Sequence, residues 1–223
     1  MKSAAILALF AVLMLPGCSS LVFPTSSPPV YYGLDYLPEA NPCGKHLEQG
    51  LRIWSFGAAS PYDRREMIVK EDGGKISFSR DFQWVAPPGI LLSDCLLRDI
   101  REHGPFLPVV SDHDPVPVSF DMTGRILTFA WERSENVSRA VLDLEVSVTP
   151  GQSSQGASFF QRYTLRSAPV EGEGTSEDFA RAMGLLTSQA SRKIGQDLCV
   201  FAGRVSGQGN ETLPQQHSAN PHE

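Results

Sequence analysis

The chain has 223 residues, of which 41% are hydrophobic and 20% are charged, and its formal net charge at pH 7 is −6. This acidic balance argues against a nucleic-acid-binding protein and against a basic patch that grips anionic lipid headgroups. No apolar run after the first one is long enough for a transmembrane helix, so the composition predicts a single globular domain.

The first seventeen residues have the parts of a secretory signal peptide. Lys2 lies in a short first region, an apolar stretch runs from Ala4 to Leu15, and the small residue Gly17 precedes the expected cleavage point. Cys18 follows directly, and Leu15-Pro16-Gly17-Cys18 resembles the bacterial lipobox, whose cysteine thiolate accepts a thioether-linked diacylglycerol. We therefore expect Cys18 to be the lipid-attachment residue, to carry palmitate-type chains, and to tether the protein to a membrane without spanning it.

Four segments are predicted along the chain: a lipoprotein signal peptide (1–17), a lipidated Ser/Pro-rich tether (18–29), a globular domain (30–201) and a disordered polar tail (202–223). Ser19 and Ser20 follow the lipidated cysteine, and neither is the aspartate that typically keeps bacterial lipoproteins at the inner membrane. By resemblance to that sorting rule, we expect an outer-membrane protein that faces the periplasm.

Hydrophobic periodicity predicts nine strands and two helices within the domain. The strands are expected over 30–37, 51–56, 66–70, 75–82, 106–110, 116–120, 126–133, 139–148 and 159–165. Two strands have a clear apolar face, formed by Leu127, Phe129 and Trp131 in one and by Leu142, Leu144, Val146 and Val148 in the other. Pro87-Pro88 opens a helix from about Gly89 to His103 with an apolar stripe of Leu92, Leu96, Leu97 and Ile100. Thr175 and Asp178 resemble a capping box, and the second helix that follows them keeps its helical spacing of apolar residues as far as Leu198. Short connections indicate a mostly antiparallel sheet with both amphipathic helices on one face, which is an α+β fold, specifically a two-layer sandwich.

Three cysteines remain behind the lipobox. Cys95 lies within the apolar run of the first helix, where a cysteine usually behaves as a small buried hydrophobe. Cys43 precedes a strand and Cys199 ends the last helix, so these two could form a disulfide that clamps the ends of the domain, or could remain thiols. No C-x-x-C pair is present, so the sequence does not indicate a zinc ribbon or a thioredoxin-like redox protein.

Catalysis has no signature in this sequence, which lacks the nucleophile elbow, the Walker loop, the dinucleotide fingerprint and the H-E-x-x-H motif. Asp112-His113-Asp114 is the one acid and imidazole cluster. It could be imagined as a metal site or general base, but such neighbours more often solvate a loop between strands. We therefore expect no enzyme activity, no cofactor and no metal.

Four short motifs follow the lipobox in this order: Tyr31-Tyr32-x-Leu34, Leu51-x-Ile53, Pro61-Tyr62-Asp63 and Trp84-x-x-Pro87-Pro88-x-x-Leu91-Leu92-x-Asp94-x-Leu96. Together they resemble the ABC-type transport auxiliary lipoprotein family, which includes the lipoprotein of the paraquat-inducible system. The resemblance implies a non-catalytic protein that works beside ABC transporter subunits and an MCE-domain protein in moving lipid between two membranes, and it makes a homo-oligomer plausible.

Two readings of the motif residues stay open. Trp84, Pro87 and Pro88 could simply end a strand and start a helix, or they could contact a partner. Three further partner-contact candidates lie in neighbouring loops and turns: Tyr62, Arg65 and Gln83.

A second function class is also open, namely a tethered periplasmic module that regulates a cell-wall enzyme. Crossing the wall takes many tens of extended residues, and segment 19–29 is too short for that.

Overall fold

The computed structural model describes residues 27–39, Cys43, 46–151 and 156–208. The predicted signal peptide and the predicted lipid-attachment residue, Cys18, lie outside these residues. The described chain forms ten strands: β1 (Val30–Tyr32), β2 (Leu51–Ile53), β3 (Gly57–Ala58), β4 (Glu66–Glu71), β5 (Ile76–Trp84), β6 (Val109–Ser111), β7 (Phe120–Arg133), β8 (Val137–Pro150), β9 (Phe159–Arg166) and β10 (Val170–Glu171). Its two α-helices are α1 (Pro88–His103) and α2 (Ser176–Gln208). Neither is long and apolar enough to cross a membrane.

The long antiparallel pair β7–β8 is the spine of the sheet. Three short strands, β2, β3 and β4, lie one after another along the free side of β7, and all three run parallel to it. β6 adds to β2, while β5 and then β1 add to β4. On the other side of the spine, β9 and β10 pair antiparallel with β8. The long ladders are antiparallel as predicted, but the short pairings along β7 are parallel.

The fold is α+β, as expected, but its sheet is a curled half-barrel, which corrects the predicted two-layer sandwich. Local register shifts accompany the curl, because bulges bend a strand and increase its twist. One lies in β7 between Ile126 and Thr128, and another separates Glu66 from Ile68 in the β4–β5 pair.

The bulge in β7 changes which alternate residues face the helices. Met122 and Ile126 are buried before it, and Phe129 and Trp131 after it. Leu127, which was predicted to share the buried face of Phe129 and Trp131, is only half-buried for this reason. In this part of β8 no bulge interrupts the alternation of side chains between the two faces of the sheet. The predicted apolar face is fully buried, and it consists of Leu142, Leu144, Val146 and Val148.

The helices fill the concave side of the sheet and contact each other. In α1 three residues of the predicted stripe, Leu92, Leu96 and Ile100, are buried, and the fourth, Leu97, is half-buried. A Cβ on Gly89 would lie 2.1 Å from the carbonyl oxygen of Phe56, so a glycine lets α1 approach the sheet closely. This contact fixes the start of the helix against the β2–β3 segment.

Helix α2 begins with the predicted capping box. The backbone N–H and hydroxyl of Thr175 donate to Asp178 Oδ2 over 3.0 and 2.7 Å, and the N–H of Asp178 donates back to the Thr175 hydroxyl over 3.1 Å. The helix continues to Gln208, so the predicted disordered tail from residue 202 begins too early. Phe201 and Ala202 explain the difference, because both are buried against the core.

An extended segment, 33–39, crosses over the helices, and we call it the strap. β1 is therefore three residues long, and the predicted strand 30–37 is wrong beyond Tyr32. The Tyr36 hydroxyl donates to Asp99 Oδ2 in α1 over 2.6 Å, and Glu39 pairs with Arg192 in α2 at 3.0 Å. Gly184 allows the strap to approach α2, since a Cβ there would lie 2.6 Å from the carbonyl oxygen of Asp35.

Beyond the strap, Cys43 and Cys199 form a disulfide with a Cα–Cα distance of 5.6 Å. This is the pairing that the sequence left open. Cys95 is a buried free thiol, as predicted.

Candidate interaction surface

The predicted partner contacts at Trp84, Tyr62 and Pro88 are wrong, because these side chains are inside the domain. Trp84 is 1% exposed and Tyr62 is 6% exposed, and Pro88 is buried in the first turn of α1. The Trp84 ring packs edge-on against Phe129 at 5.2 Å and Phe179 at 5.3 Å between ring centroids, and so joins the sheet to α2. The motif around Trp84 thus builds the core.

The remaining candidates lie at or near the surface. Arg65 is exposed, while Gln83 and Pro87 are half-buried. The Arg65 carbonyl accepts a hydrogen bond from the Trp84 backbone at 2.7 Å, so the loop is held to the end of β5. The structure brings these three residues to one side of the domain, and their contact role stays a prediction.

The Asp112-His113-Asp114 loop uses its carboxylates to hold neighbouring backbone. Asp112 accepts from the N–H and hydroxyl of Ser55 over 3.0 and 2.8 Å, and these bonds lower the pKa of Asp112. Asp114 accepts in the same way from Ser111 over 2.8 and 2.9 Å. The His113 side chain is 91% exposed. Within the described ranges no group of three or more acidic, histidine or cysteine residues could hold a metal ion.

A polar cluster lies beneath the strap. Asp99 is buried and accepts from Tyr36 and from Arg98 Nε, the latter over 2.8 Å, and the Arg98 guanidinium stacks 4.6 Å from the Tyr36 ring centroid. Burial raises the pKa of Tyr36 and of the nearby Cys95 thiol. A buried thiol with a raised pKa is a poor nucleophile, so this cluster fastens the strap and offers no reactive group to solvent.

An open groove lies between strand β9 and helix α2. Along the described chain β9 pairs with β8 alone, so its other edge carries no strand. Two adjoining hollows of about 300 and 410 Å³ follow this edge, and both are lined by Gln161 and Asp197. Sequence periodicity predicted β9 as a strand, but it contains no signal for which strand of a sheet lies at an edge.

Hydrogen-bonded side chains connect β9 to its two neighbours, strand β8 and helix α2. Arg162 donates two hydrogen bonds to Asp143, of 2.9 and 2.6 Å, and Thr164 donates a third of 3.0 Å. The bonds from Arg162 hold the pKa of Asp143 below its usual range. On the inner side the Tyr163 hydroxyl donates to Asp197 in α2 over 2.7 Å. Asp197, the one carboxylate among the residues that line the two hollows, is therefore already engaged.

Cations and apolar side chains rim the groove. Lys193 and Arg204 project from α2 into solvent, and neither has a hydrogen bond or ion pair within the described chain. Phe160 is 65% exposed and Val200 is 55% exposed, and they line the same hollow. The groove can therefore offer backbone hydrogen bonds, positive charge and apolar contact to one extended ligand.

No family model and no curated protein matches the chain. Its structure is similar to the crystal structure of protein XCC0632 from Xanthomonas campestris, described under family DUF330, with a TM-score of 0.66 and 16% identity over 80% of this chain and 99% of that one. A crystal structure of an uncharacterized protein gives a TM-score of 0.59 with 12% identity over 77% of this chain and 99% of that one. At such identities the likeness shows a shared fold alone.

Proposed function

We propose that this protein is a non-catalytic, lipid-anchored accessory component of an ABC/MCE-type intermembrane lipid transport system, held on the periplasmic face of the outer membrane. The observation that carries the proposal is the lipobox-like Leu15-Pro16-Gly17-Cys18 placed a short distance ahead of a domain whose motifs resemble the ABC-type transport auxiliary lipoproteins.

The burial of the motif residues refines how such a component would work. Trp84, Leu92 and Leu96 lie in the core, so the motif specifies the fold and leaves the docking role to other surfaces. The groove beside β9 is a suitable surface, because it is open and presents unpaired backbone. A docking module needs no reactive cluster, which agrees with the structural role of the Asp112 and Asp114 carboxylates.

The length of the tether favours a partner near the anchoring membrane. Segment 19–29 has eleven residues, which span at most about 40 Å when fully extended. A protein that reaches through the cell wall to regulate a synthase would need a longer tether, so we favour the transport complex over that alternative.

Two measurements test the proposal. Cys18→Ala removes the thiol that accepts the thioether, so metabolic labelling with a palmitate analogue should be lost, and label that persists on the variant would contradict the anchor. Cross-linking in intact membranes, followed by affinity capture and mass spectrometry, should recover an MCE-domain protein and ABC transporter subunits. Recovery of a cell-wall synthase without them would favour the regulatory module instead.

A further inference from the structure

We propose that the free edge of β9 binds an extended, acidic segment of a partner protein as an added β-strand. This inference goes beyond the proposed function, because it names the chemistry of recognition and does not depend on which complex supplies the partner.

The first argument is the geometry of the edge. Five consecutive residues of β9, 161–165, line one hollow although successive side chains point to opposite faces of the sheet. Such a lining arises when the strand's backbone edge itself faces the open space. An unpaired edge presents alternating N–H and C=O groups, which are the groups that an added strand would satisfy.

The second argument compares β9 with the strands at the other outer positions of the sheet. β1 and β6 are three residues long, as is common for edges that avoid pairing with other chains. β9 has eight residues, pairs with β8 without a register shift, and contains no proline. A regular edge of about 26 Å is therefore available, which is enough for a partner strand of similar length.

The third argument is charge, which selects among possible strands. The chain as a whole is acidic, with a formal net charge of −6, yet three cations, Arg162, Lys193 and Arg204, line the two hollows beside a single acidic residue, Asp197. Asp143 and Asp197 are already hydrogen-bonded to Arg162 and Tyr163. An acidic segment would complement the remaining cations, whereas a basic segment would be repelled.

The apolar side chains complete the description of the ligand. Phe160 and Val200 are exposed beside the cations and have no apolar cover in the described chain. Because a strand points alternate side chains to opposite faces, a segment that alternates acidic and aliphatic residues fits both features. We therefore assign the groove to an alternating acidic and aliphatic strand.

The test uses the full-length protein in detergent micelles and a defined probe. The probe is an end-capped, fluorescent eight-residue peptide that alternates valine and glutamate. We expect saturable binding that weakens with salt, together with slower amide exchange confined to Phe159–Arg166. A peptide of valine and lysine should not bind. The valine–glutamate peptide with every internal amide N-methylated keeps its side chains but loses the backbone donors on both of its edges, so it should bind at least about tenfold more weakly.

Charge-reversed variants locate the probe. Lys193→Glu combined with Arg204→Glu should weaken binding about tenfold, because two exposed cations become repulsive. The matched control, Lys75→Glu combined with Arg80→Glu, reverses two exposed charges at the β4–β5 hairpin, away from the groove, and should leave affinity unchanged. Thermal melting of both double variants should stay near that of the parent, since all four side chains are exposed.

Several results would overturn the proposal. These are no binding at millimolar probe, equal binding of the N-methylated peptide, loss of binding in the control variant alone, or exchange protection outside β9. If β9 becomes protected with rising protein concentration and no peptide, the edge binds a second copy and the acidic-partner reading is wrong. If truncation after Gln208 removes protection of β9 that exists without peptide, the chain's own segment 209–223 occupies the groove, and the proposal fails in the same way.

Discussion

Removal of the Cys43–Cys199 disulfide should lower the stability of the domain by several kcal/mol. The bridge joins residues 156 positions apart and restrains most of the chain in its unfolded state. The loop-closure relation gives an entropy loss of about 17 cal/mol/K, or about 5 kcal/mol at room temperature, as an upper bound. Since bridges commonly deliver less than this bound, we expect a loss of about 3–5 kcal/mol for the double variant Cys43→Ser and Cys199→Ser.

Urea unfolding followed by tryptophan fluorescence measures this loss. Both cysteines are replaced together so that neither Cys43 nor Cys199 is left as an unpaired thiol. Reductant should bring the parent protein to the stability of the double variant, and should leave the double variant itself unchanged. The reasoning would be refuted by a difference below about 1 kcal/mol, or by a double variant that responds to reductant as strongly as the parent does.

Three further predictions concern packing and charge. Leu96→Asp should cost several kcal/mol in chemical denaturation by burying an unpaired carboxylate, whereas Arg101→Ala removes one hydrogen bond to the Val109 carbonyl and should cost only about 1 kcal/mol, and equal shifts would reject the assigned helix face. Gly89→Ala should lower the melting temperature, because its Cβ would meet backbone, and Gly203→Ala, with open space around it, should be neutral or stabilise by up to about 1 kcal/mol. Asp143 has a pKa lowered by its arginine partner, so its contribution is complete above about pH 4 and is lost as pH falls through the lowered pKa. The stability difference between the parent and Asp143→Asn should therefore shrink on acidification, and a difference that grows would contradict the ion pair.

The features that the sequence predicted well depend on local period. The buried stripe of α1 and the buried face of β8 follow from residues spaced 3–4 or 2 apart, and the capping box at Thr175 depends on a residue three positions on. Each of these patterns involves residues of a single helix or strand, so it can be recognised without knowing which other elements pack against it.

The features that were missed depend on contacts between distant segments. The strap leaves the sheet because Tyr36 and Glu39 find partners in α1 and α2, and the parallel strands beside β7 come from segments that α1 separates from β7 in the sequence. The same limit explains the error at Trp84, since a tryptophan beside two prolines suits both a core and an interface. An open strand edge is still harder to foresee, because it is defined by the absence of a neighbour.

The order of the strands gives the domain a direction. Val30 enters at β1, on one outer side of the sheet, and β9 lies on the opposite side, with β5, β4, β7 and β8 between them. Five inter-strand steps of about 4.8 Å separate the two along the curved surface, or roughly 24 Å. A chain anchored at Cys18 would thus be tethered through one rim, and the groove beside β9 would lie at the opposite rim. The width of the sheet would then add to the reach of the tether when the groove binds a second protein.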